Sequence, residues 1–208
     1  MKHYQKILTL FERDKNRKVI VGKWSHSMFD YLKDNIWTAD EKINGTNIRV
    51  KWTNGKIRFG GKEDNADIST ELLDFLMDKF EDKKIMESIF GSKEACIYGE
   101  GVGPRITKGS ELYTLGSENK FQFIVFDVWV DGWWLDKDMV TDVAINLNLE
   151  RVLNFGEMNL MTAVEKVQRD LRSHLGDFPI EGFVLRPLVP LFNKKGERVI
   201  GKIKAKDF

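Results

Sequence analysis

The run Phe121 to Val130 reads FQFIVFDVWV and runs straight into Asp131-Gly132. Its length and its β-branched and aromatic content predict a strongly apolar strand. Asp-Gly supplies the positive φ angles of a tight hairpin turn, sending the chain back through Trp133-Trp134-Leu135. A second signal of the same kind lies upstream. Asn47 to Trp52 (NIRVKW) alternates in polarity, Thr53-Asn54-Gly55 follows, and the chain returns through Lys56 to Phe59. Strands joined this closely must pair antiparallel, because a parallel neighbour needs a long crossover.

Further strands are predicted at Lys18–Gly22, Trp37–Lys42 and Ala95–Gly99, the last entering a glycine-rich loop. Phe183–Arg186 and Val199–Lys204 are two more, separated by a turn at Asn193–Gly196. Leu72, Leu73, Leu76, Phe80, Ile85, Met86 and Ile89 recur near helical spacing and predict one helix over Thr70–Phe90, capped by Ser69 or Thr70. Met139–Leu147 and Asn159–Leu175 are the other helix candidates. Hairpins outnumber βαβ units, so the expected fold class is α+β, with largely antiparallel sheets flanked by helices.

The 208 residues fit one domain or a compact two-lobed unit, and 42% hydrophobic content argues against disorder. Net charge is only +1, which excludes a globally basic coat; any binding of phosphates must come from local patches. The single cysteine, Cys96, excludes disulfides within the chain and any Cys/His zinc spacing, and a reducing compartment is expected. The N-terminal MKHYQKILTLFERD lacks the apolar core of a signal peptide, and no stretch approaches a membrane span of roughly 18 apolar residues. A cytoplasmic protein of a bacterial, archaeal or phage-infected cell, without a membrane partner, is the expectation. No Gly-rich loop ends in Gly-Lys-Ser/Thr, so a P-loop is excluded.

Five segments carry chemistry. In Glu41-Lys42-Ile43-Asn44-Gly45-Thr46-Asn47 a lysine stands between a strand and a glycine turn. Its amine is a nucleophile only when neutral, a form that burial or nearby cations promote. Tyr98-Gly99-Glu100-Gly101 delivers a carboxylate into a loop that a ligand can approach closely. Phe126-Asp127 offers an aromatic face within a strand. Glu181-Gly182 opens a strand that Arg186 closes. Lys202, Lys204 and Lys206 alternate, so on a strand they share one face and together suit an anion. Each segment alone also has an ordinary structural reading: a surface lysine, a loop cap, core packing, a salt bridge, a solvated edge.

In this order the five resemble the covalent nucleotidyltransferases, the ATP-dependent ligases and mRNA capping enzymes. Their signature appears here as Lys42-Ile43-Asn44-Gly45, Tyr98-Gly99-Glu100-Gly101, Phe126-Asp127-Val128, Glu181-Gly182 and Lys204-Ala205-Lys206. Glu41 to Asn47, Phe59-Gly60-Gly61-Lys62 and Lys204 to Phe208 are similar to the RNA ligase 2 branch. The resemblance covers about Lys6 to Phe208. It implies the ATP-grasp-like adenylyltransferase domain of ligases as one domain over 1–208, with no separate C-terminal nucleic-acid-binding domain. A partner replacing that domain, and a monomeric chain, are expectations.

The resemblance implies ATP as AMP donor, Mg²⁺ or Mn²⁺, and RNA with 5′-phosphate and 3′-hydroxyl ends, nicked or duplex. It makes Lys42 the nucleophile that becomes lysyl-AMP, and places Lys204 and Lys206 on the α-phosphate. Glu181 and Asn47 would hold the metal, Glu100 and Lys62 the ribose, Phe126 the adenine face and Glu41 its amino group. Arg186, Arg105 and Lys108 are candidates for pyrophosphate or RNA phosphates. Asn44 departs from the more usual Asp, which puts the role of that position in doubt. DNA joining, GTP-dependent capping and a non-catalytic nucleic-acid-binding module stay open as alternatives.

Overall fold

The computed structural model describes residues 2–64 and 66–208. The chain resolves into two compact units. A discontinuous unit comprises residues 5–43 and 153–208, and an inserted unit comprises residues 44–152 with the first residues up to Tyr4.

The discontinuous unit is built on a five-stranded sheet. Numbered along the chain, β1 (Leu8–Thr9), β4 (Trp37–Glu41), β10 (Asn154–Met158), β11 (Gly182–Pro187) and β12 (Gly201–Lys204) lie in the order β1-β12-β11-β4-β10. Only β1 and β12 are parallel. β2 (Phe11–Arg13) and β3 (Val19–Trp24) form a separate antiparallel pair. Two helices belong here, α1 (Ser27–Leu32) and α5 (Leu160–Val167). Alternation along β11 turns Phe183 and Leu185 into a core with Trp37 and Ala39 of β4 and Ile203 of β12. Leu160, Ala163, Val164 and Val167 line one stripe of α5 and close that core. Each large apolar side chain buried this way contributes about 1.5–3 kcal/mol.

The inserted unit holds β5 (Thr46–Thr53), β6 (Lys56–Gly60), β7 (Ala95–Val102), β8 (Gln122–Val130) and β9 (Trp133–Trp134), in the order β6-β5-β7-β8-β9, all antiparallel. Both expected hairpin turns form, with φ +49° and +70° at Asn54-Gly55 and +45° and +102° at Asp131-Gly132. Ile48, Val50, Trp52 and Ile97 face α2 (Thr70–Lys79), α3 (Lys83–Phe90) and α4 (Lys137–Asn146) in a second core. The α+β class with antiparallel sheets is therefore as expected.

Three expectations fail locally. The single helix over Thr70–Phe90 is two, because the Asp82 carboxylate accepts the Lys84 amide at 2.9 Å and starts α3 anew. The helix expected over Asn159–Leu175 ends at Val167. The rest is diverted into a short antiparallel return, with Ser173 N–H bonded to Phe178 carbonyl at 2.8 Å and Ile180 N–H to Leu171 carbonyl at 3.0 Å. The three C-terminal lysines do not share one strand face: β12 stops at Lys204, and Ala205–Asp207 is a 3₁₀ turn on which Lys206 is exposed.

Gly182 explains why a glycine must follow Glu181. A Cβ there would stand 2.1 Å from Ile203 carbonyl oxygen and 2.7 Å from Lys204 Cα, both backbone atoms of the paired strand. Gly182→Ala is expected to force β11 from β12 and to cost about 3 kcal/mol, read as a lowered urea midpoint. A midpoint equal to that of the unchanged protein would contradict this packing.

Candidate active site

Three adjacent strands of the discontinuous unit end at one place. Lys42 follows β4, and its amide donates to Gly182 carbonyl at 2.9 Å. Glu181 precedes β11, and Lys204 ends β12, where it registers with Gly182. The result is one carboxylate held by two ammonium groups. Glu181 Oε2 accepts from Lys42 Nζ at 2.6 Å, and Glu181 Oε1 accepts from Lys204 Nζ at 2.6 Å. All three side chains are mostly buried, at 18%, 11% and 20% exposure for Lys42, Glu181 and Lys204, so solvent screens these pairs weakly. Lys42 Nζ also donates to Ile43 carbonyl at 3.2 Å. The cation expected beside Lys42 is present as Lys204, but both reach the same anion. Lys206 is not part of this cluster.

Glu41, immediately before Lys42, lies on the opposite side of β4 and is 1% exposed. Its Oε2 accepts the His174 amide at 3.3 Å, while its buried Oε1 has no partner among the described residues. Ser173 lies within reach of the same carboxyl without a well-formed bond to that oxygen, and a buried carboxylate oxygen in this state is costly. The His174 ring stacks on Phe155 at 4.0 Å beside it. Arg186 lies on the same side of the sheet as Lys42 and pairs with the buried Asp40, which also accepts from Asn154 Nδ2 at 3.2 Å. Asp40, His174 and Phe155 were missed because none sits in a motif; pairing of β10 with β4 places Asn154 opposite Asp40.

The inserted unit carries its own set. Asn47 on β5 and Glu100 on β7 register directly opposite each other, on the face away from the helices. Asn47 Oδ1 is buried without a partner among the described residues. A register shift between Tyr98 and Gly99 leaves Phe126 as the extra residue of β8, which aims it at the same face. There the Tyr4 ring meets Phe126 edge-on at 5.1 Å, and Tyr4 hydroxyl donates to Asp127 at 2.7 Å. Exposed Lys62 follows Gly61, whose carbonyl accepts from the fully buried Arg49 at 2.6 Å. Arg105 pairs with Glu71 on the surface.

Asn44 has a structural explanation. Its Nδ2 donates to Lys108 carbonyl at 2.8 Å and its Oδ1 accepts from Thr107 hydroxyl at 3.2 Å. An aspartate lacks the first of these donors, so here the amide ties down the 107–108 loop. Among the described residues no three His, Cys, Asp or Glu side chains gather as a cation cage. A single carboxylate such as Glu181 suits Mg²⁺, which binds through one or two carboxylates and keeps waters or substrate phosphates as its other ligands.

Burial by itself would raise the Glu181 carboxyl. The charge of Lys42, with hydrogen bonds from Lys204 and Lys42, outweighs burial and holds it below its ordinary 4.5. A depressed carboxylate contributes stability above its unfolded value and loses it as pH falls through the folded one. Glu41 has the opposite sign, because burial pushes it up despite Ser173 and His174. Glu181→Gln is therefore expected to lower stability by about 1–2 kcal/mol at pH 7, a difference that closes as the pH drops below 4.5. Urea titrations at both pH values check this; a pH-independent difference would contradict it.

Among the described residues no helix is long and apolar enough to cross a membrane. No curated protein matches the sequence. Similar solved structures are point mutants of a Naegleria gruberi RNA ligase. One, with AMP and Mn, is 15% identical with a TM-score of 0.64, over 96% of this chain and 56% of that one. Another, with ATP and Mn, is also 15% identical with a TM-score of 0.64, over 95% of this chain and 56% of that one. An apo mutant is 16% identical with a TM-score of 0.63 over 96% and 56%. The chain thus spans little more than half the length of these proteins, and the likeness is one of fold. The RNA ligase family model matches residues 35–204, a span that takes in Lys42, Glu181 and Lys204 together, and the chain belongs to the RNA ligase family.

Proposed function

We propose that this chain is the adenylyltransferase part of an ATP-dependent RNA ligase of the RNA ligase 2 type, acting in the cytoplasm on RNA with 5′-phosphate and 3′-hydroxyl ends, nicked or duplex. The observation that carries the reading is the Lys42–Glu181–Lys204 cluster, with 2.6 Å on each side of one carboxylate. Family membership and the fold shared with ligases bound to ATP or AMP and Mn support it.

Lys42 is the nucleophile. Its nitrogen attacks the α-phosphorus of ATP; a P–N bond forms, the bond to the β-phosphate oxygen breaks, and pyrophosphate leaves while the amine loses a proton. An oxygen of the RNA 5′-phosphate then attacks the AMP phosphorus, the P–N bond breaks and the Lys42 amine regains a proton. Last, a 3′-hydroxyl attacks the RNA 5′-phosphorus, gives up its proton, and AMP leaves. Lys42 cannot attack while it donates to Glu181, so opening that pair is part of the first step. Lys204, released from the same carboxylate, meets the charge developing on the α-phosphate. Mg²⁺ or Mn²⁺, assigned to Glu181, supplies positive charge that neutralises phosphate oxygens.

Asn47 Oδ1 is an open acceptor suited to a cation or its water. Glu41 Oε1 accepts the adenine amino group, Phe126 stacks on the base, and Glu100 and Lys62 bind the ribose. Lys206 is assigned to phosphate from an exposed position. Arg186, paired with Asp40 on the same side of the sheet as Lys42, is assigned to pyrophosphate or an RNA phosphate.

Lys42→Ala is expected to reduce transfer of α-labelled AMP and joining of nicked RNA to background. Lys204→Ala should slow AMP transfer by about 10²–10³-fold, and Lys206→Ala by no more than about tenfold, since its charge is solvated. Parallel assays on nicked DNA separate the two polymers. AMP transfer retained by Lys42→Ala, or DNA joined in preference to RNA, would overturn the respective part of the reading.

A further inference from the structure

The segment joining β11 to β12 is a second structured element of the discontinuous unit, outside the lysine cluster. Val199 N–H bonds to Leu191 carbonyl at 2.8 Å, Phe192 bridges Arg198, and Asn193 N–H bonds to Glu197 carbonyl at 2.9 Å. Asn193 Oδ1 accepts the Lys195 and Glu197 amides at 2.9 and 3.0 Å, and Gly196 turns at φ +74°. Gln5 clamps the stem by accepting the Arg198 amide at 3.0 Å. The hairpin is thus held by its own backbone, by Asn193 and by Gln5.

What this hairpin displays does not serve the fold. Phe192 is 58% exposed, and Val189, three residues before it in the chain, is 70% exposed. Lys194 and Lys195 at the tip are exposed and make no ion pair among the described residues. The one carboxylate in the loop, Glu197, is taken by Asn193 Nδ2 at 2.8 Å. An exposed aromatic ring beside two solvated ammonium groups is a surface open to a ligand. It suits a polyanion that also offers flat apolar faces. With a chain net charge of only +1, phosphate affinity comes from local groups of cations, and this tip is one such group.

Resting on the RNA ligase reading, we propose that the Leu191–Val199 hairpin docks the RNA substrate: Phe192 stacks on an unpaired base, and Lys194 and Lys195 contact flanking phosphates. An apolar protein partner would cover Phe192 and Val189 equally well but would leave both ammonium groups desolvated without an anion. RNA uses both kinds of group at once.

The test is binding of a fluorescently labelled nicked RNA duplex with single-stranded tails, with lysyl-AMP formation measured alongside. The proteins are the unchanged chain, Phe192→Ala, Phe192→Leu and the Lys194→Ala/Lys195→Ala pair. All variants should melt like the unchanged protein and take up AMP normally. Both Phe192 variants should bind RNA about tenfold more weakly, Phe192→Leu included, because leucine keeps the apolar area but not the ring. The lysine pair should lower the salt slope of binding by roughly 1.4–1.8. RNA affinity unchanged in all variants would overturn the proposal, assign the patch to an apolar partner and leave the ligase reading intact. Lost AMP uptake in these variants would overturn it by making the hairpin part of the nucleotide reaction. An unchanged chain that takes up AMP but binds no RNA would overturn both the docking role and the RNA half of the ligase reading.

Discussion

Glu181 bonds to two lysines at once, and the sheet of the discontinuous unit is arranged so that it can. β11 lies between β4 and β12, so the residue entering β11 has one neighbour at the end of each flanking strand. Antiparallel register then decides which residues those are, pairing Phe183 with Glu41 and Gly182 with Lys204. Gly182 permits the approach because no side chain fits against Ile203 and Lys204. The chemistry is thus fixed by backbone pairing, and the core residues Phe183, Leu185, Trp37 and Ile203 hold that pairing in place. A slip of one residue would turn the charged ends into the apolar layer.

The arrangement also sets a resting state. The Lys42 amine is held as half of an ion pair, and the second lysine competes for the same carboxylate. Withdrawing Lys204 would leave Glu181 to Lys42 alone and tighten that pair, so what loosens Lys42 is a cation that competes with it for Glu181. Water-exposed lysines such as Lys194 and Lys195 are not held in this way.

Much of this was legible in the sequence, for local reasons. Asn54-Gly55 and Asp131-Gly132 state their turns through backbone preference, and the alternation of NIRVKW states its face. The motif order supplied Lys42, Glu181 and Lys204. What stayed hidden depends on contacts distant along the chain. Asp82 splits a helix whose apolar period runs through the break, because one cap outweighs continued spacing. Lys206 keeps the alternation of a strand that has already ended in a 3₁₀ turn. Asn44 reads as a lost carboxylate until Lys108 and Thr107 are seen beside it. Asp40 with Arg186, and Tyr4 on Phe126, join residues more than 100 positions apart, which no local spacing signals.

The most direct test of the central claim is where AMP becomes attached. The protein incubated with ATP and Mg²⁺, digested and mapped by tandem mass spectrometry, should carry AMP through a P–N bond on Lys42 alone. AMP on Lys204 or another lysine, with Lys42 unmodified, would contradict the account and make the Glu181 cluster a structural ion pair.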